Sequence, residues 1–357
     1  MAIKRGEAHG AGNICPSERV PGGRIYGIAE NEMGERNMLM DRYQRKINYL
    51  RISVTDKCNL RCRYCLPETG VDLKSHEHIL RWEELHRMVK VFVEEGIDRV
   101  RITGGEPLVR KGLLHFIEKL SLLNLKEISI TTNGQLLKPV AAQLKEAGIT
   151  RVNISLDTLD AEKYTWITRG GDLKKVFEGI HAALETGLDP VKLNAVVVRG
   201  FNEDEVTDLA RLTKDLPLHV RFIELMPVGT CTIWGKDSFV STDETMERMK
   251  KIGLLAPAQV TGSGPAQVWQ FEGFKGTVGF ISAISKHICH RCNRIRLTAD
   301  GRIYPCLHGE NYVNCFDLLR DGESEEKLRR IVQQVISLKP DQHHLGSQER
   351  MMSALGG

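Results

Sequence analysis

The sequence predicts an α/β protein that contains an open, partial (β/α)6 barrel, followed by a smaller α+β extension. From Asn48 onwards, short runs of β-branched residues alternate with amphipathic segments, the pattern of repeated βα units in a parallel sheet. Six such units can be counted, and six are too few to close an eight-stranded barrel. After Met226 the pattern changes to short strands separated by Gly-rich turns, which indicates a second, smaller region.

The predicted elements of the barrel follow one another in a regular order. The six strands are rich in apolar residues and run over Tyr49–Val54, Arg99–Thr103, Glu127–Thr132, Arg151–Leu156, Val191–Val198 and His219–Glu224. The five helices carry apolar residues at helical spacing and run over Trp82–Glu95, Leu113–Leu123, Leu136–Ala147, Leu173–Glu185 and Glu203–Leu216. Asn202 and Glu205 are three residues apart, which predicts a reciprocal cap at the start of the last helix.

Polar residues recur at every second position of several predicted strands, so one face of the sheet is polar. The residues that share this face are Arg51, Ser53, Arg101, Thr103, Asn153, Ser155, Lys192 and Asn194. A parallel sheet covered by helices on both faces would be almost continuously apolar. We therefore expect a lumen that binds a ligand; the alternative is a set of unrelated polar residues at the sheet edges.

The C-terminal region is predicted to contain the strands Val268–Phe271, Thr277–Ile281 and Arg294–Thr298. Asp300-Gly301 is a strong signal for a two-residue hairpin, which would pair Arg296 with Pro305 and bring Cys306 beside the preceding strand. The chain is thus expected to divide into a flexible extension over residues 1–40, the barrel over 41–226 and the C-terminal region over 227–357.

The composition excludes several classes of protein. Of the 357 residues 41% are hydrophobic, and no run approaches the roughly 18 apolar residues of a membrane span. The 50 basic and 46 acidic residues give a net charge of +4, which argues against a surface devoted to nucleic acid. An anionic ligand must therefore be held by a local cluster of cations. Residues 1–35 contain no apolar stretch that could serve as a secretory signal.

The nine cysteines include two groups of three with the spacing of metal ligands. The first group follows the first strand with the spacing C-x3-C-x2-C and consists of Cys58, Cys62 and Cys65. Three thiolates so placed can bind three irons of a cubane cluster and leave the fourth iron open. A structural zinc ion would need a fourth ligand such as His76 or His78, and such sites prefer C-x2-C pairs.

The second group has the spacing C-x2-C-x13-C and consists of Cys289, Cys292 and Cys306. Taken alone it is also compatible with half of a zinc ribbon, whose fourth ligand would be His287, His290 or His308. The presence of the first group favours a second iron–sulfur cluster instead. The remaining cysteines have no comparable spacing and are expected to be ordinary thiols: Cys15, Cys231 and Cys315.

A set of motifs resembles one enzyme family. Cys58-Asn59-Leu60-Arg61-Cys62-Arg63-Tyr64-Cys65 resembles the cluster loop of radical S-adenosylmethionine (SAM) enzymes, and Leu50-Arg51-Ile52-Ser53-Val54-Thr55-Asp56 narrows the match. Further agreement comes from Arg101-Ile102-Thr103-Gly104-Gly105-Glu106-Pro107, Thr131-Thr132-Asn133-Gly134, Asn153-Ile154-Ser155-Leu156-Asp157, Arg221-Phe222-Ile223-Glu224-Leu225-Met226 and Cys289-His290-Arg291-Cys292-Asn293-Arg294-Ile295-Arg296-Leu297-Thr298. From about Asp41 to the terminal Gly356-Gly357, the chain resembles the molybdenum-cofactor biosynthesis protein A family, the GTP 3′,8-cyclases.

The resemblance implies that the protein catalyses a radical reaction on GTP. An open iron of the first [4Fe–4S] cluster would chelate SAM, and one electron would cleave the sulfonium bond to give a 5′-deoxyadenosyl radical. This radical would remove the 3′ hydrogen of GTP, and the resulting carbon radical would attack C8 of the guanine. The product would be 3′,8-cyclo-7,8-dihydro-GTP, formed in the first step of molybdenum cofactor biosynthesis, which makes the enzyme a lyase.

The resemblance also implies the roles of individual residues. The two cysteine groups would hold two [4Fe–4S] clusters, and the open iron of the second would touch the guanine. SAM would be bound by Tyr64, Gly105, Ser155 and Met226, with Gly104 in the same turn. GTP would be bound by Arg51, Arg101, Thr132, Lys192, Arg294 and Arg296. The terminal residues Gly356 and Gly357 would take part in catalysis.

The partners and the compartment follow from this chemistry. We expect GTP as the substrate and a separate electron donor as a partner. We expect no binding to nucleic acid or to a membrane, and a homodimer is one possible oligomeric state. Oxygen-sensitive clusters held by thiolates require a reducing environment, which predicts the cytoplasm. The alternative function is another radical SAM enzyme with an auxiliary cluster, such as a peptide modifier.

Overall fold

The computed structural model of the protein describes residues 38–70, 73–226, 233–262 and 264–343. Within these ranges twelve strands form one sheet, in the order β12-β11-β10-β1-β2-β3-β4-β5-β6-β9-β8-β7. The strands of the barrel are β1 (Tyr49–Ser53), β2 (Arg99–Thr103), β3 (Glu127–Thr132), β4 (Arg151–Ser155), β5 (Val191–Val197) and β6 (Leu218–Glu224). The later strands are β7 (Leu255–Pro257), β8 (Gln267–Phe271), β9 (Thr277–Ile281), β10 (Arg294–Leu297), β11 (Arg302–Tyr304) and β12 (Val313–Asn314).

Nine α-helices accompany this sheet in the described ranges. Those of the barrel are α1 (Trp82–Glu94), α2 (Leu113–Ser121), α3 (Ala141–Ala147), α4 (Ala161–Thr168), α5 (Leu173–Glu185) and α6 (Val206–Asp215). The C-terminal helices are α7 (Thr242–Met249), α8 (Phe316–Arg320) and α9 (Glu325–Ser337). None of the described helices is long and apolar enough to cross a membrane.

The predicted open (β/α)6 barrel is confirmed. The strands β1 to β6 pair with one another in parallel, and β7 and β12 lie at the two ends of an unclosed sheet. One face of these strands is apolar, with Leu50, Ile52, Ile102 and Ile130 completely buried in the core. Each such side chain contributes roughly 1.5–3 kcal/mol through burial, so the apolar face fixes the register of the strands.

The C-terminal strands continue the same sheet at both edges. Strand β9 pairs in parallel with β6, and β10 pairs in parallel with β1, so eight neighbouring strands run in one direction. Beyond them, β11 and β12 on one side and β8 and β7 on the other are antiparallel. This pairing brings the second cysteine group next to the first strand of the barrel. The proposed domain boundary at residue 226 stays a prediction.

Three local expectations are wrong. The pairing partner of Arg296 is Tyr304, not Pro305, because the hairpin loop has three residues and ends at Gly301 with a positive φ of 78°. The predicted helix Leu136–Ala147 is α-helical only from Ala141, after a 3-10 turn over Lys138–Val140 that contains Pro139, since a proline disfavours the α conformation in the residue before it.

The predicted cap of α6 is also absent. Glu205 is the N-cap residue and makes no side-chain cap. Its carboxylate instead accepts from the Thr158 hydroxyl and the Leu159 amide, while the Asn202 side chain bonds to the backbone of Asp157, Val196 and Val198. Both side chains therefore join the ends of neighbouring strands instead of capping the helix.

Candidate functional site

The first cysteine group lies in the loop that follows β1. Helix α4 holds this loop through its backbone: the amides of Arg61 and Arg63 donate to the carbonyls of Thr168 and Ile167 at 3.2 and 2.8 Å. The Arg169 guanidinium, one residue after the helix, donates to the carbonyls of Arg61 and Leu66 at 3.0 and 2.9 Å. These bonds fix the loop with all three cysteines half-buried.

The thiols of this group influence one another. Burial raises the pKa of Cys62 well above its ordinary value, and the neighbouring Cys65 and Cys58 raise it further. The Asn133 amide donates to the Cys58 sulfur at 3.7 Å and to the Asn59 side chain at 2.8 Å. Three half-buried thiols this close together need a cationic partner to become thiolates, which fits an iron–sulfur cluster.

The turn after β2 packs directly against the cysteine loop. The Gly105 amide donates to the Thr55 carbonyl at 2.7 Å, and a Cβ at Gly105 would collide with the Lys57 carbonyl. A Cβ at Gly104, where φ is +147°, would lie 2.5 Å from the Thr55 oxygen. Both glycines are therefore required by the contact between two backbones, whatever else they bind.

Two buried carboxylates form hydrogen bonds with the cysteine loop or with the strand ends next to it. Glu106 accepts from the Thr132 hydroxyl and the Asn133 amide at 2.8 and 2.7 Å, and burial raises its pKa to about 7. Asp157 accepts from the Tyr64 hydroxyl at 2.9 Å, and burial raises its pKa to about 6. Glu106 thus connects the turn after β2 to the end of β3. Asp157, which follows β4, is hydrogen-bonded to the cysteine loop through Tyr64.

The residues expected to bind SAM lie at the carboxyl ends of the strands. Tyr64 belongs to the cysteine loop, Gly105 follows β2 and Ser155 ends β4. Met226 follows β6, and Ser155 and Met226 are both half-buried. The parallel order of these strands brings their carboxyl ends to one edge of the sheet, where open α/β sheets bind ligands.

The polar face predicted from alternation is present and carries more cations than expected. Arg51 lies in register with Arg101 on β2 and with Arg296 on β10. Lys192 lies in register with Asn153, and Arg221 lies in register with Asn194. The six basic residues of this face are all buried: Arg51, Arg101, Arg151, Lys192, Arg221 and Arg296.

The charges of these basic residues repel one another, which lowers the pKa values of several of them. Burial lowers the pKa of Arg51 well below its ordinary value, and Arg296 and Arg101 lower it further. Burial and the nearby Arg221 lower the pKa of Lys192 to about 6. Arg151 forms an ion pair with Glu127. The face therefore has an excess of buried positive charge that an anion would neutralise.

Thr132 does not share this face. It lies in register with Ile154, on the apolar side of β3, and its hydroxyl donates to Glu106. The neighbouring Thr131 lies in register with Asn153 and so occupies the polar side. The structure thus separates Thr132 from the arginines, and its role in GTP binding stays a prediction. The terminal residues Gly356 and Gly357 lie outside the described residues.

The second cysteine group lies beside the N-terminal end of β10. Burial alone would raise the pKa of Cys292, but Arg294 and Lys339 outweigh it and lower the pKa to about 6. The buried Lys339 ammonium donates to the Cys292 sulfur at 3.6 Å and to the carbonyls of Arg294 and Pro305 at 2.7 Å. A lysine buried among sulfurs and carbonyls stabilises thiolates, which fits a metal cluster here as well.

The residues after α9 contribute to this second group. His343 places Nδ1 2.9 Å from the Cys289 sulfur, and its ring stacks on His308 at 4.6 Å. The Arg45 guanidinium donates to the carbonyls of Cys289 and Asp341 at 2.9 and 2.7 Å. In the part of the chain that the structure describes, no three Cys, His, Asp or Glu side chains are arranged to hold one metal ion.

Sequence reasoning missed four residues of these sites. Arg151 could have been found, because it lies two residues before Asn153, a predicted polar position on its own strand. Arg221 lies on a strand for which no polar position was predicted. Lys339 and His343 lie more than 30 residues beyond Cys306, and nothing in their local sequence points to the cysteines. Their role depends on how α9 packs, which is a tertiary contact.

Comparisons with known proteins agree with this arrangement. Residues 52–213 match the Radical SAM superfamily, and residues 218–345 match Molybdenum Cofactor Synthesis C. Among solved structures, SuiB of Streptococcus suis has a TM-score of 0.54 at 16% identity, covering 82% of this chain and 69% of its own. This likeness supports the fold assignment alone.

Relatives with assigned functions are far more similar. A GTP 3′,8-cyclase of Pelotomaculum thermopropionicum is 50% identical over 325 residues, which are 89% of this chain and all of the relative. A GTP 3′,8-cyclase of Moorella thermoacetica is 50% identical over 324 residues, with the same coverage. The resemblance found in the motifs is thereby confirmed, and the chain belongs to the radical SAM family of GTP 3′,8-cyclases.

Proposed function

We propose that the protein is a radical SAM lyase that converts GTP to 3′,8-cyclo-7,8-dihydro-GTP, the first step of molybdenum cofactor biosynthesis. The observation that carries this proposal is the excess of buried positive charge on the polar face of the barrel strands. A buried positive cluster is costly unless an anion neutralises it, and a triphosphate supplies several negative charges at once. The family's substrate, GTP, carries such a group.

The first cysteine group would hold the cofactors. Membership of the radical SAM superfamily implies a [4Fe–4S] cluster and SAM, with Cys58, Cys62 and Cys65 as ligands. When bound, these cofactors supply the radical chemistry, and the protein supplies orientation and exclusion of water. Tyr64, Gly105, Ser155 and Met226 line the strand ends at which SAM would bind.

The polar face would bind the triphosphate. Arg51, Arg101 and Arg296 lie side by side on adjacent strands, so their guanidinium groups can donate to neighbouring phosphates. The half-buried Arg294 lies two residues from the buried Arg296 on the same strand, and both lie close to the second cysteine group. Lys192 and Arg221 extend the cationic surface across β5 and β6, and we add Arg221 to the proposed ligands.

We propose a second [4Fe–4S] cluster at Cys289, Cys292 and Cys306. The proximity of Arg296 to Cys306 and Cys292 supports a substrate that bridges the phosphate site and this cluster. As the resemblance implies, the cluster held by these cysteines would contact the guanine. The reducing cytoplasm is the compartment in which two such clusters persist.

The alternative function is modification of a peptide. SuiB, which shares the fold, has a crystal structure bound to its precursor peptide SuiA. At 16% identity that likeness extends to the fold alone. A peptide substrate would not account for six buried basic residues on the polar face.

The test is an anaerobic reconstitution followed by turnover with SAM and dithionite. We expect about eight irons per chain and a cyclised product from GTP, with ATP as the matched control nucleotide that gives no cyclised product. A content of four irons per chain together with stoichiometric zinc would contradict the proposed second [4Fe–4S] cluster. Formation of 5′-deoxyadenosine without any cyclised GTP would overturn the proposed activity.

A further inference from the structure

A lysine and a histidine that follow α9 reach the second cysteine group. Lys339 is 2% exposed, and its ammonium donates to the Cys292 sulfur at 3.6 Å. The His343 amide donates to the Cys289 sulfur at 3.5 Å, and Nδ1 of its ring lies 2.9 Å from the same sulfur. Two of the three proposed cluster ligands therefore contact a segment more than 30 residues beyond Cys306.

The ammonium of Lys339 also joins the two strands between these cysteines. Its other two acceptors are the carbonyls of Arg294 and Pro305, each at 2.7 Å. Arg294 lies two residues after Cys292, and Pro305 directly precedes Cys306. With three N–H groups and three acceptors, one ammonium connects the start of β10 to the residues that follow β11.

The buried charge of Lys339 has no carboxylate among these three acceptors, which are two neutral carbonyls and one sulfur. A buried ammonium is costly unless an anion lies beside it. A cysteine that binds iron does so as the thiolate, which is such an anion. The structure therefore places a positive charge where a cluster held by Cys292 and Cys306 would carry its negative charge.

Contacts on both sides fix the position of Lys339. Before it, α9 is joined to α1 by an ion pair between Arg329 and Glu94 at 2.8 Å. After it, the Arg45 guanidinium donates to the carbonyl of Pro340 at 2.6 Å. Because the chain is held on each side of this residue, the ammonium stays beside the cysteines.

We propose that Lys339 is a positioning residue of the second cluster, which holds Cys292 and Cys306 in place and raises the reduction potential of the cluster. This inference rests on the proposed function, because it requires the [4Fe–4S] cluster proposed at these cysteines. Reduction adds one negative charge to a cluster, so a buried cation beside it stabilises the reduced form more than the oxidised form. Hydrogen bonds to the ligating sulfurs act in the same direction.

The test is a redox titration of the anaerobically reconstituted holoenzyme, followed by electron paramagnetic resonance. We expect Lys339→Met to make reduction of the second cluster about tenfold less favourable, which is a shift of about 59 mV to lower potential for one electron. The potential of the first cluster should stay unchanged. A full-length chain with Cys58→Ser, Cys62→Ser and Cys65→Ser identifies the transition that belongs to the second cluster.

Two further variants serve as controls. Lys339→Arg keeps the positive charge, so its potential should lie closer to the native value than to that of Lys339→Met. Lys327→Met removes a lysine in the first turn of α9, where 53% of the side chain is exposed and the ammonium pairs with Glu323 at 2.7 Å. Lys327 lies about three helical turns before Lys339, and solvent screens its charge, so both potentials should stay at their native values.

The iron content and the potentials together decide the outcome. Equal potentials in Lys339→Met and the native protein, at equal iron content, would overturn this inference, and so would the same shift in Lys327→Met. If Lys339→Met loses the iron of the second cluster and Lys339→Arg retains it, the charge is needed to hold the cysteines, as proposed. Loss of this iron in both variants would contradict a role for the charge.

The same titration separates this inference from the proposed function. A native protein with one transition and about four irons per chain would contradict the proposed second cluster itself. A native protein with two transitions, neither of which depends on Lys339, would contradict only the role of this lysine.

Discussion

Arg296 is the residue whose surroundings connect the two proposed sites. It lies in register with Arg51 on one side and with Tyr304 on the other, and it is buried near Cys306 and Cys292. Burial and the neighbouring Arg294 lower its pKa to about 10, so its charge is held at an electrostatic cost. A bound triphosphate would remove that cost, which is why we place Arg296 in the substrate site.

Replacement of Arg296 should weaken the binding of GTP and leave the iron content of the protein unchanged. We expect Arg296→Ala to weaken GTP binding about tenfold to a hundredfold, because a lost charge-assisted contact is worth roughly 1.5–3 kcal/mol. Anaerobic calorimetry with GTP measures the change. Arg302→Ala on β11, where the arginine is half exposed and pairs with Asp300, is the control. Unchanged GTP affinity in Arg296→Ala would remove this residue from the site.

The lowered pKa of Lys192 predicts that the protein takes up a proton when GTP binds. Burial, followed by Arg221, lowers its pKa to about 6, so the amine is largely neutral at about pH 8. A triphosphate beside it favours the ammonium form and raises that pKa, so binding at this pH takes up close to one proton. Below about pH 6 the amine is already protonated, and its uptake disappears.

Calorimetry in buffers of different ionisation enthalpy measures this proton. Lys192→Arg keeps the charge without a titration in this range, so it should bind GTP and lose the uptake. An uptake that persists in Lys192→Arg would assign the proton to another group.

At the scale of elements, the turn between β2 and α2 is set by its contact with the cysteine loop. The resemblance implies a SAM-binding turn at Gly104 and Gly105, and the structure shows that these glycines pack against the backbone of Thr55 and Lys57. This detail could not be predicted, because the partner lies about 50 residues earlier in the chain. The geometry of this turn therefore depends on a contact within the protein.

A methyl group at Gly105 should displace the loop. A Cβ there would lie 2.6 Å from the Lys57 carbonyl carbon and 2.9 Å from the Asp56 oxygen, which are backbone atoms that cannot rotate away. We expect Gly105→Ala to cost about 1–3 kcal/mol of unfolding free energy and to lower the iron content of the first cluster. Thermal unfolding and iron analysis measure both.

The control for this variant is Gly253→Ala, where the nearest atom to a new Cβ is 4.0 Å away. It should leave stability and iron content unchanged. Equal iron content in Gly105→Ala and the native protein would show that the loop tolerates the contact.

Helix α4 shows the limit of periodicity as a signal. It has eight residues, of which Tyr164, Ile167 and Thr168 are buried, too few to give a clear apolar stripe. Its N-cap Asp160, which accepts from the amides of Glu162 and Lys163 at 2.8 Å, was a usable signal. The longer helices, α1 and α5, have wide apolar faces and were predicted almost to the residue.

For the whole molecule, the order of the barrel strands follows from the alternation of strands and helices, since short right-handed connections place consecutive parallel strands side by side. The pairing of β10 with β1 and of β9 with β6 could not be deduced in this way. Each joins segments that are far apart in sequence and depends on which sheet edges are free. That pairing brings the second cysteine group and the Arg296 site beside the barrel.

The central claim is a division of labour between the two cysteine groups, and one anaerobic assay tests it by measuring 5′-deoxyadenosine and cyclised GTP together. Cys62→Ser should form neither product, because the cluster to which SAM would bind then lacks one of its three cysteine ligands. Cys306→Ser should still form 5′-deoxyadenosine slowly with dithionite, but no cyclised nucleotide, since a reacting centre displaced by about 1 Å costs on the order of a hundredfold in rate. Cyclisation of GTP at the native rate by Cys306→Ser, or 5′-deoxyadenosine from Cys62→Ser, would contradict this account.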